Sequence, residues 1–419
     1  MVRQQPLTLA TPVIPSAYNN LDTVLKQIRS GLDNGVQQSF QNVDTIHYLR
    51  LVLLEAQPPD ESGNSYPAKF VLGTDYDGDE DAQLTALATT CGDFIDKLYE
   101  NCEGYPDAAN RNPATRKAYL EKWRVKASAF FAGAPGRTLV QIRKENELRE
   151  YILNLIRNGK WGSQSAKEIH AAIKTDVLSK TEFQWARESV KLPKENWLGM
   201  ALLGLILLVL LPFIIIWILV IHFLYERKDK ALGLTSSQID GAHIRKLEEY
   251  EDFHNQNQFT QLLIMKPGQI RLITLMGLML FAKSLVKNLF VKGKLMGIPT
   301  IHFARWLLMD DQKRMLFFSN FDGSWQQYLG DFIDKSGWGL TGIWSNTVNF
   351  PPTRFLFTGG AYDEEHFLAW SRYYQIPTAV WYCAYPNLSI KNVMNNTYIR
   401  NELMLNTTEA EAQRFLNRF

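Results

Sequence analysis

Residues 300–334 read "TIHFARWLLMDDQKRMLFFSNFDGSWQQYLGDFID", and the fold turns on how this stretch is parsed. Two β-rich runs, "TIHFARWLLM" and "RMLFFSNF", flank the polar connection "DDQK", as the arms of a hairpin do. "DGSWQQYLGDFIDK" follows, with Asp322 and Ser324 as helix start signals and Gln327 three residues after Ser324 in a capping-box pattern. The same order is written earlier as "TIHYLRLVLL" (45–54), "KFVLGTDYDGDEDAQ" (69–83) and "CGDFIDKLY" (91–99). The Asp-Gly pair lies 15 residues before the "GDFID" motif in the first copy (Asp77 to Gly92) and 8 before it in the second (Asp322 to Gly330). That offset is about two helical turns, which keeps one helix face inward.

Downstream of the second copy, "GLTGIWSNTV" and "TRFLFTGG" read as strands, "DEEHFLAWSRYY" as a helix and "TAVWYCAYP" as a last strand. From Arg314 onward the order is β-α-β-β-α-β, a ferredoxin-like arrangement, with one additional strand in front. In the first copy "ATRKAYLEKWRVKASAFF" supplies the second helix and "RTLVQIRK" the last strand, and similar tails follow both copies, "NELREYI" (146–152) and "NTYIRNELM" (396–404). The expected fold is α+β: two tandem ferredoxin-like units, residues 41–160 and 296–419, forming a pseudo-dimer, after an N-terminal lead over residues 1–40.

Between the copies lie a linker (161–196), an uncharged run and a connecting region (226–295). The run, "WLGMALLGLILLVLLPFIIIWILVIHFLY" (197–225), exceeds the roughly 20 residues that cross a bilayer as a helix. Trp197 and Tyr225 stand at its ends as aromatic anchors, with Trp217 inside it. Four basic residues precede it within 20 positions (Lys180, Arg187, Lys191, Lys194) and four follow (Arg227, Lys228, Lys230, Arg245), so the positive-inside rule returns a tie. Pro212, mid-run, predicts a kink or a break. A kinked single helix puts the copies on opposite sides of a membrane; a hairpin returns them to one side. Packing two copies as a pseudo-dimer favours the hairpin. A second stretch, "IRLITLMGLMLFAKSLVKNLFVKGKL" (270–295), places Lys283 and Lys287 four apart and predicts an interfacial helix with its lysines toward headgroups.

At 419 residues, with 46% hydrophobic residues, the chain has material for two cores and a membrane segment. Its 45 basic and 43 acidic residues are nearly balanced, which argues against a nucleic-acid partner. Three cysteines, Cys91, Cys102 and Cys383, are too scattered for a metal knuckle and read as buried free thiols. The N-terminus has no apolar core of signal-peptide length, so a cleaved export signal is not expected.

Candidate chemical residues come in pairs. His47 and His302 head a strand in each copy, with Arg50 and Arg305 three residues on; on a regular strand that spacing sends them to opposite faces. A charge in an apolar strand needs a partner, and Asp331 or Asp334 can supply one for Arg305. Asp77-Gly78 and Asp322-Gly323 end a strand and open a helix, an arrangement that either holds an anion or simply caps and turns the chain. Asn320, just before the second pair, and Ser345, Asn346 and Arg354 in "WSNTVNFPPTR" complete the pocket candidates. The amide-rich "EDFHNQNQFTQ" (251–261) reads as a polar pocket lining or an exposed strand. "DYDGDED" fails the calcium-loop template because its glycine sits at the fourth position, and no metal site is expected. No nucleophile elbow, P-loop, dinucleotide fingerprint or HExxH is present.

The run "IPTIHFARWLLMDD…RMLFFSNFDGSWQQYLGDFIDK…GLTGIWSNTVNFP" resembles a family of uncharacterised bacterial membrane-associated proteins over roughly residues 250–405. More remotely, its look is similar to the dimeric α/β-barrel superfamily, which includes dye-decolourising peroxidases and whose paired sheets enclose ligand cavities. That second likeness implies a haem- or lipid-ligand-binding oxidoreductase with its site between the copies. The peroxidase GxxDG motif is not matched, since "GTDYDG" (73–78) is one residue too long, and no haem ligand is carried over. The weight of motifs favours a non-catalytic, membrane-anchored scaffold or membrane-remodelling protein. Its expected partners are the lipid bilayer and either a protein partner or another copy of itself, at an inner or plasma membrane with the soluble domains facing the cytoplasm.

Overall fold

Alternating side chains on a few nine-residue strands organise the molecule. The computed structural model describes every residue except Met1, Glu61, Ser62, Ser189 and Leu192. Its first half comprises β1 (Gln4–Pro12), α1 (Tyr18–Asp33), β2 (Ile46–Leu54), β3 (Lys69–Asp77), α2 (Glu80–Thr89), α3 (Gly92–Tyr99), α4 (Pro113–Lys122), β4 (Ala127–Ala132), α5 (Leu139–Asn158) and α6 (Ala166–Ser179). The apolar α7 (Trp197–Val220) follows. The second half comprises α8 (Gly241–Glu248), β5 (Gln256–Ile264), α9 (Gln269–Asn288), β6 (Ile301–Met309), β7 (Arg314–Asp322), α10 (Trp325–Trp344), the two-residue β8 (Thr353–Arg354) and β9 (Thr358–Gly359), α11 (Glu364–Tyr374), β10 (Val380–Cys383), α12 (Ile390–Leu403) and α13 (Glu409–Leu416).

The strands form an α+β arrangement with two four-stranded antiparallel sheets, ordered β1-β3-β2-β10 and β4-β6-β7-β5. β1 pairs with β3 from Gln4↔Asp77 to Pro12↔Lys69, and β5 pairs with β7 from Gln256↔Asp322 to Ile264↔Arg314. Each half sends its last strand to the other half's sheet: β10 lies on β2, and β4 lies on β6. Just before crossing over, the chain runs along its own half. Ala10 N donates to Trp123 O (3.0 Å) and Val125 N to Thr8 O (2.8 Å), while Ile376 N donates to Thr260 O (2.9 Å). Both seams between the sheets are therefore bridged, and the two halves form one interleaved body.

Several expected elements change. The lead over residues 1–40 carries β1 and α1, so it belongs to the first sheet. "GLTGIWSNTV" lies mostly in α10, whose apolar residues Leu340, Ile343 and Trp344 pack inward on a helical spacing. "RTLVQIRK" opens α5, not a strand, because Thr138 caps it by accepting from Gln141 N. Residues 256–264 are a strand with every position but Ile264 buried, so the exposed-strand reading does not hold, while Gln256 and Asn257 at its start line a groove of about 560 Å³. Residues 197–220 form one helix with Pro212 inside it, so the hairpin reading is not what the structure adopts.

Outward faces of the sheets carry the main cores: α1, α2 and α3 cover the first sheet around Leu25, Leu87 and Leu98, and α9, α10 and α11 cover the second around Leu275, Trp344 and Trp370. Between the sheets, Val52, Val71, Leu262, Leu307 and Leu316 fill one end. The other end holds the functional candidates.

Candidate functional site

A β-bulge in each half brings the candidates together. The β2–β3 register slips between Ile46 and Tyr48, and the β6–β7 register slips between Ile301 and Phe303, leaving His47 and His302 as the extra residues. One inserted residue turns a separation of three into an effective two, so each histidine shares a face with the arginine that follows it. The expectation that His and Arg face apart fails for this reason.

The two arginines, each 1% exposed, reach across to the opposite sheet. Arg50 donates to Phe259 O (2.9 Å), Thr260 Oγ1 (3.0 Å), Ser319 O (2.9 Å) and Asn320 Oδ1 (2.6 Å). Arg305 donates to Leu7 O (2.8 Å), Thr8 Oγ1 (3.0 Å) and Thr74 O (3.1 Å), and lies 3.4 Å from Asp75 Oδ1. Asp75, not Asp331 or Asp334, is thus its carboxylate partner, while Asp331 pairs with Lys335. The Phe318 ring lies 4.5 Å from the Arg50 guanidinium and 5.3 Å from that of Arg305, so both cations rest on one π-system. Gly73 makes room for this layer: a Cβ there would stand 3.2 Å from the Phe318 ring and 3.3 Å from both arginines. Burial pulls both guanidinia below their ordinary values; for Arg50 the neighbouring Arg305 adds to this and Asp75 opposes it. Burial likewise pushes the Asp75 carboxyl up, against the pull of both arginines.

Next to this layer sit two His–Asp pairs. His47 Nε2 is 2.9 Å from Asp77 Oδ1, and His302 Nε2 is 2.7 Å from Asp322 Oδ1. The second oxygen of each carboxylate takes a helix N-terminus, Leu139 N of α5 (2.6 Å) for Asp77 and Ile390 N of α12 (2.9 Å) for Asp322. These aspartates do stabilise helix ends, but not those of the helices that follow them in sequence: Asp79 caps α2 and Ser324 caps α10. Gly78 (φ 100°) and Gly323 (φ 86°) make the turns, at backbone angles that disfavour a side chain. The anion that each α5 or α12 N-terminus would attract is already present as a side chain of the same chain.

His47 Nδ1 also lies 3.2 Å from Tyr385 Oη, and Tyr48 donates to Gln256 Oε1 (2.5 Å). Burial raises the Tyr48 and Tyr385 phenols well above their usual range, and it pushes the Cys383 thiol up to about 12. All three cysteines are free and buried. Two grooves, about 870 Å³ and about 560 Å³, are lined by none of His47, His302, Arg50 and Arg305. A haem group does not fit here: both nitrogens of His47 are engaged, Asp322 holds His302, and protein side chains fill the layer between the sheets.

Asn320 joins the cluster, accepting from Arg50 and from Trp381 Nε1 (2.9 Å) while donating to Asp75 Oδ2 (3.0 Å). Ser345, Asn346 and Arg354 do not. Ser345 Oγ and Asn346 Nδ2 both donate to Gly342 O at the end of α10 (3.0 and 2.9 Å), and Arg354 is exposed on β8. Sequence reasoning missed Asp75, Thr8, Thr260 and Tyr385. Asp75 was within reach, standing two residues before Asp77 and hence on the same strand face.

The other notable region is an outer flank. Among the described residues, α7 and α9 are the two helices long and apolar enough to cross a membrane by length and composition. They pack antiparallel: Asn196, the cap of α7, donates through Nδ2 to Asn288 Oδ1 at the end of α9 (3.0 Å), and Trp217 Nε1 donates to Thr274 Oγ1 near the start of α9 (3.0 Å). A stripe of α7 (Leu203, Leu207, Ile214, Trp217) together with residues near its two ends (Gly199, Met200, Ile218, Val220) is half-buried, while Leu198 is 82% exposed and Phe213 70%. At the far end of α7, buried Glu226 accepts from Thr353 Oγ1 (2.7 Å) and Leu356 N (2.9 Å). Asp229 nearby pairs with Arg271 and, at 2.7 Å, with Lys266, whose ammonium burial lowers to about 8. Both ends of the helix are thus tied to the body. The 870 Å³ groove adjoins this flank, with Lys283 and Lys287 of α9 on one wall and Arg3 and Lys126 of the first half on the other.

Comparison with family models, with curated proteins and with solved structures returned no match.

Proposed function

We propose that the chain is a non-catalytic, membrane-anchored scaffold built from two ferredoxin-like units. The unit boundaries that support this reading are β1-α1-β2-β3-(α2–α4)-β4 and β5-α9-β6-β7-(α10, α11)-β10, with the sheet order 1-3-2 in each half and the fourth strands exchanged. Such an exchange makes a pseudo-dimer of the dimeric α/β-barrel type within one chain. One observation carries the functional reading. The paired polar residues that a catalytic site would use satisfy one another inside a filled layer, while a 24-residue apolar helix stands open on the outside. Natural surfaces rarely leave an apolar area of that extent uncovered, and a bilayer covers it without a specific partner. The bulk of the chain then serves as a rigid platform whose remaining faces meet a protein partner or another copy.

Flotation of the purified chain with phospholipid vesicles tests the reading. The intact chain is expected to float, and a variant carrying Leu205→Lys, Leu208→Lys and Phe213→Lys is expected to stay in the dense fraction. Titration with haem serves as the second arm. A Soret band that disappears in His47→Ala or His302→Ala would overturn the non-catalytic reading in favour of the peroxidase-like alternative.

A further inference from the structure

The way the strands interleave dictates how the apolar flank meets a membrane. β4 precedes α7 in the chain, β5 lies between α7 and α9, and β6 and β7 follow α9, yet all four strands belong to one sheet. If α7 alone crossed a bilayer, β4 would be parted from β6, to which it is hydrogen-bonded from Ala127↔Leu307 to Ala132↔Phe303. If α9 alone crossed, β5 would be parted from β7, its partner over nine residue pairs. If both crossed, β5 would again lie opposite β7. No crossing leaves the sheet on one side, and re-entry within α7 is closed off because the helix is unbroken through Pro212.

From this topology, and resting on the membrane reading above, we infer that α7 lies in the plane of a bilayer with negatively charged headgroups, immersed in one leaflet and crossing neither. A half-bilayer of hydrocarbon is about 15 Å deep and a helix with its side chains about 10–12 Å across, so one leaflet covers the exposed girth of α7. In-plane seating puts both helix ends at the same interface, which accounts for equal numbers of basic residues on the two sides. Both ends are pinned to the body, at Asn196–Asn288 and at Glu226–Thr353, as an in-plane helix allows.

Charge complementarity selects the occupant. Lys283 and Lys287 are exposed on the last turns of α9, and with Lys126 and Arg3 they line the groove beside the flank. Among the described residues the one carboxylate lining that groove, Glu80, pairs with Arg124, so these four cations face the groove without a carboxylate partner there. They stand where phosphate headgroups of the same leaflet would lie.

The test uses the full chain added to preformed sealed vesicles of phosphatidylcholine with or without phosphatidylglycerol. Leu198→Cys, Leu208→Cys and Leu219→Cys, each carrying an environment-sensitive fluorophore, report depth through lipid-borne quenchers; all three sites are exposed, so folding is checked simply by an unchanged melting temperature. Equal depth at the three positions is expected, together with labelling of Asn196→Cys and Arg227→Cys by an impermeant reagent from the outside. A middle position about 15 Å deeper than the ends, or protection of one flank, overturns in-plane seating while leaving membrane association intact. Lys283→Gln and Lys287→Gln are expected to weaken binding to phosphatidylglycerol vesicles about fivefold each. Unchanged binding would overturn the headgroup assignment. No flotation with either vesicle, with a dimer in solution instead, would overturn both this inference and the membrane reading by showing that a second copy covers the flank.

Discussion

The layer between the sheets and the α7/α9 flank are opposites. One buries two arginines, two histidines and two aspartates where a core would ordinarily hold leucine; the other exposes leucine, isoleucine and phenylalanine where a surface would ordinarily hold charge. In the first, partners are supplied by the chain itself, down to the carbonyls of the opposite sheet. In the second, the chain supplies almost none. A buried polar residue is therefore poor evidence of chemistry until its partners are counted, and interaction is better sought where surface free energy is left uncompensated.

The largest effect is expected from breaking the buried layer. Asp75→Ala leaves Arg305 without its carboxylate and Asn320 without an acceptor, and removal of one member of a buried ion pair costs about 3–5 kcal/mol. Chemical denaturation in detergent should show that loss, with Asp75→Asn milder because the equivalent place in the other half is already Asn320. A loss below about 1 kcal/mol would mean that apolar packing alone holds the sheets together.

The flank should behave in the reverse way. Leu208→Lys is predicted to leave the denaturation midpoint unchanged, because the side chain is 66% exposed, and to reduce vesicle partition by about 2–3 kcal/mol. A variant that lost stability and kept partition would collapse the contrast between the two regions.

How much of this was legible follows from the local code. The hairpins 46–77 and 301–322 announce themselves by apolar runs with polar connections, and the apolar α7 by its length. β1 was hidden because "QQPLTLATP" carries prolines at both ends of a short run, and β5 because amides stand where apolar residues are expected. Those amides are buried and used: Gln256 bonds Tyr48 and the Tyr385 carbonyl, and Gln261 accepts from Trp344 Nε1 (2.9 Å). The strand exchange depends on pairings well over a hundred residues apart, which no local period records, and each bulge is a slip of one residue that the apolar runs do not mark. In the candidate site the paired residues were found, but their geometry was inverted, because one inserted residue reverses a strand's facing.

A smaller effect probes the places where the buried layer meets the helices above it. Ser389 caps α12 by accepting from Asn392 N (3.1 Å), one residue before the amide that Asp322 accepts from. Ser389→Ala should cost about 1 kcal/mol. Combined with Asp322→Asn, the two losses should be non-additive, since both act on the same helix end.

The smallest effect comes from a third region that is neither interior layer nor flank, the helical cluster of α5, α6, α12 and α13 that ties the halves together. His170 on α6 is buried there, with Nε2 3.2 Å from Glu402 O and its ring against Phe415. Burial holds its imidazole below the ordinary value. The unfolded chain therefore binds a proton more readily than the folded one, so this residue's contribution is intact above the unfolded value near 6.5 and declines as pH falls through it. Denaturation midpoints measured from pH 7.5 to 5 should fall modestly in the intact chain and less in His170→Gln. If the slope is the same in both, the acid response lies elsewhere. If instead vesicle partition changes over the same pH range in parallel with the midpoint, the cluster couples the body to the flank, and the two regions are not independent.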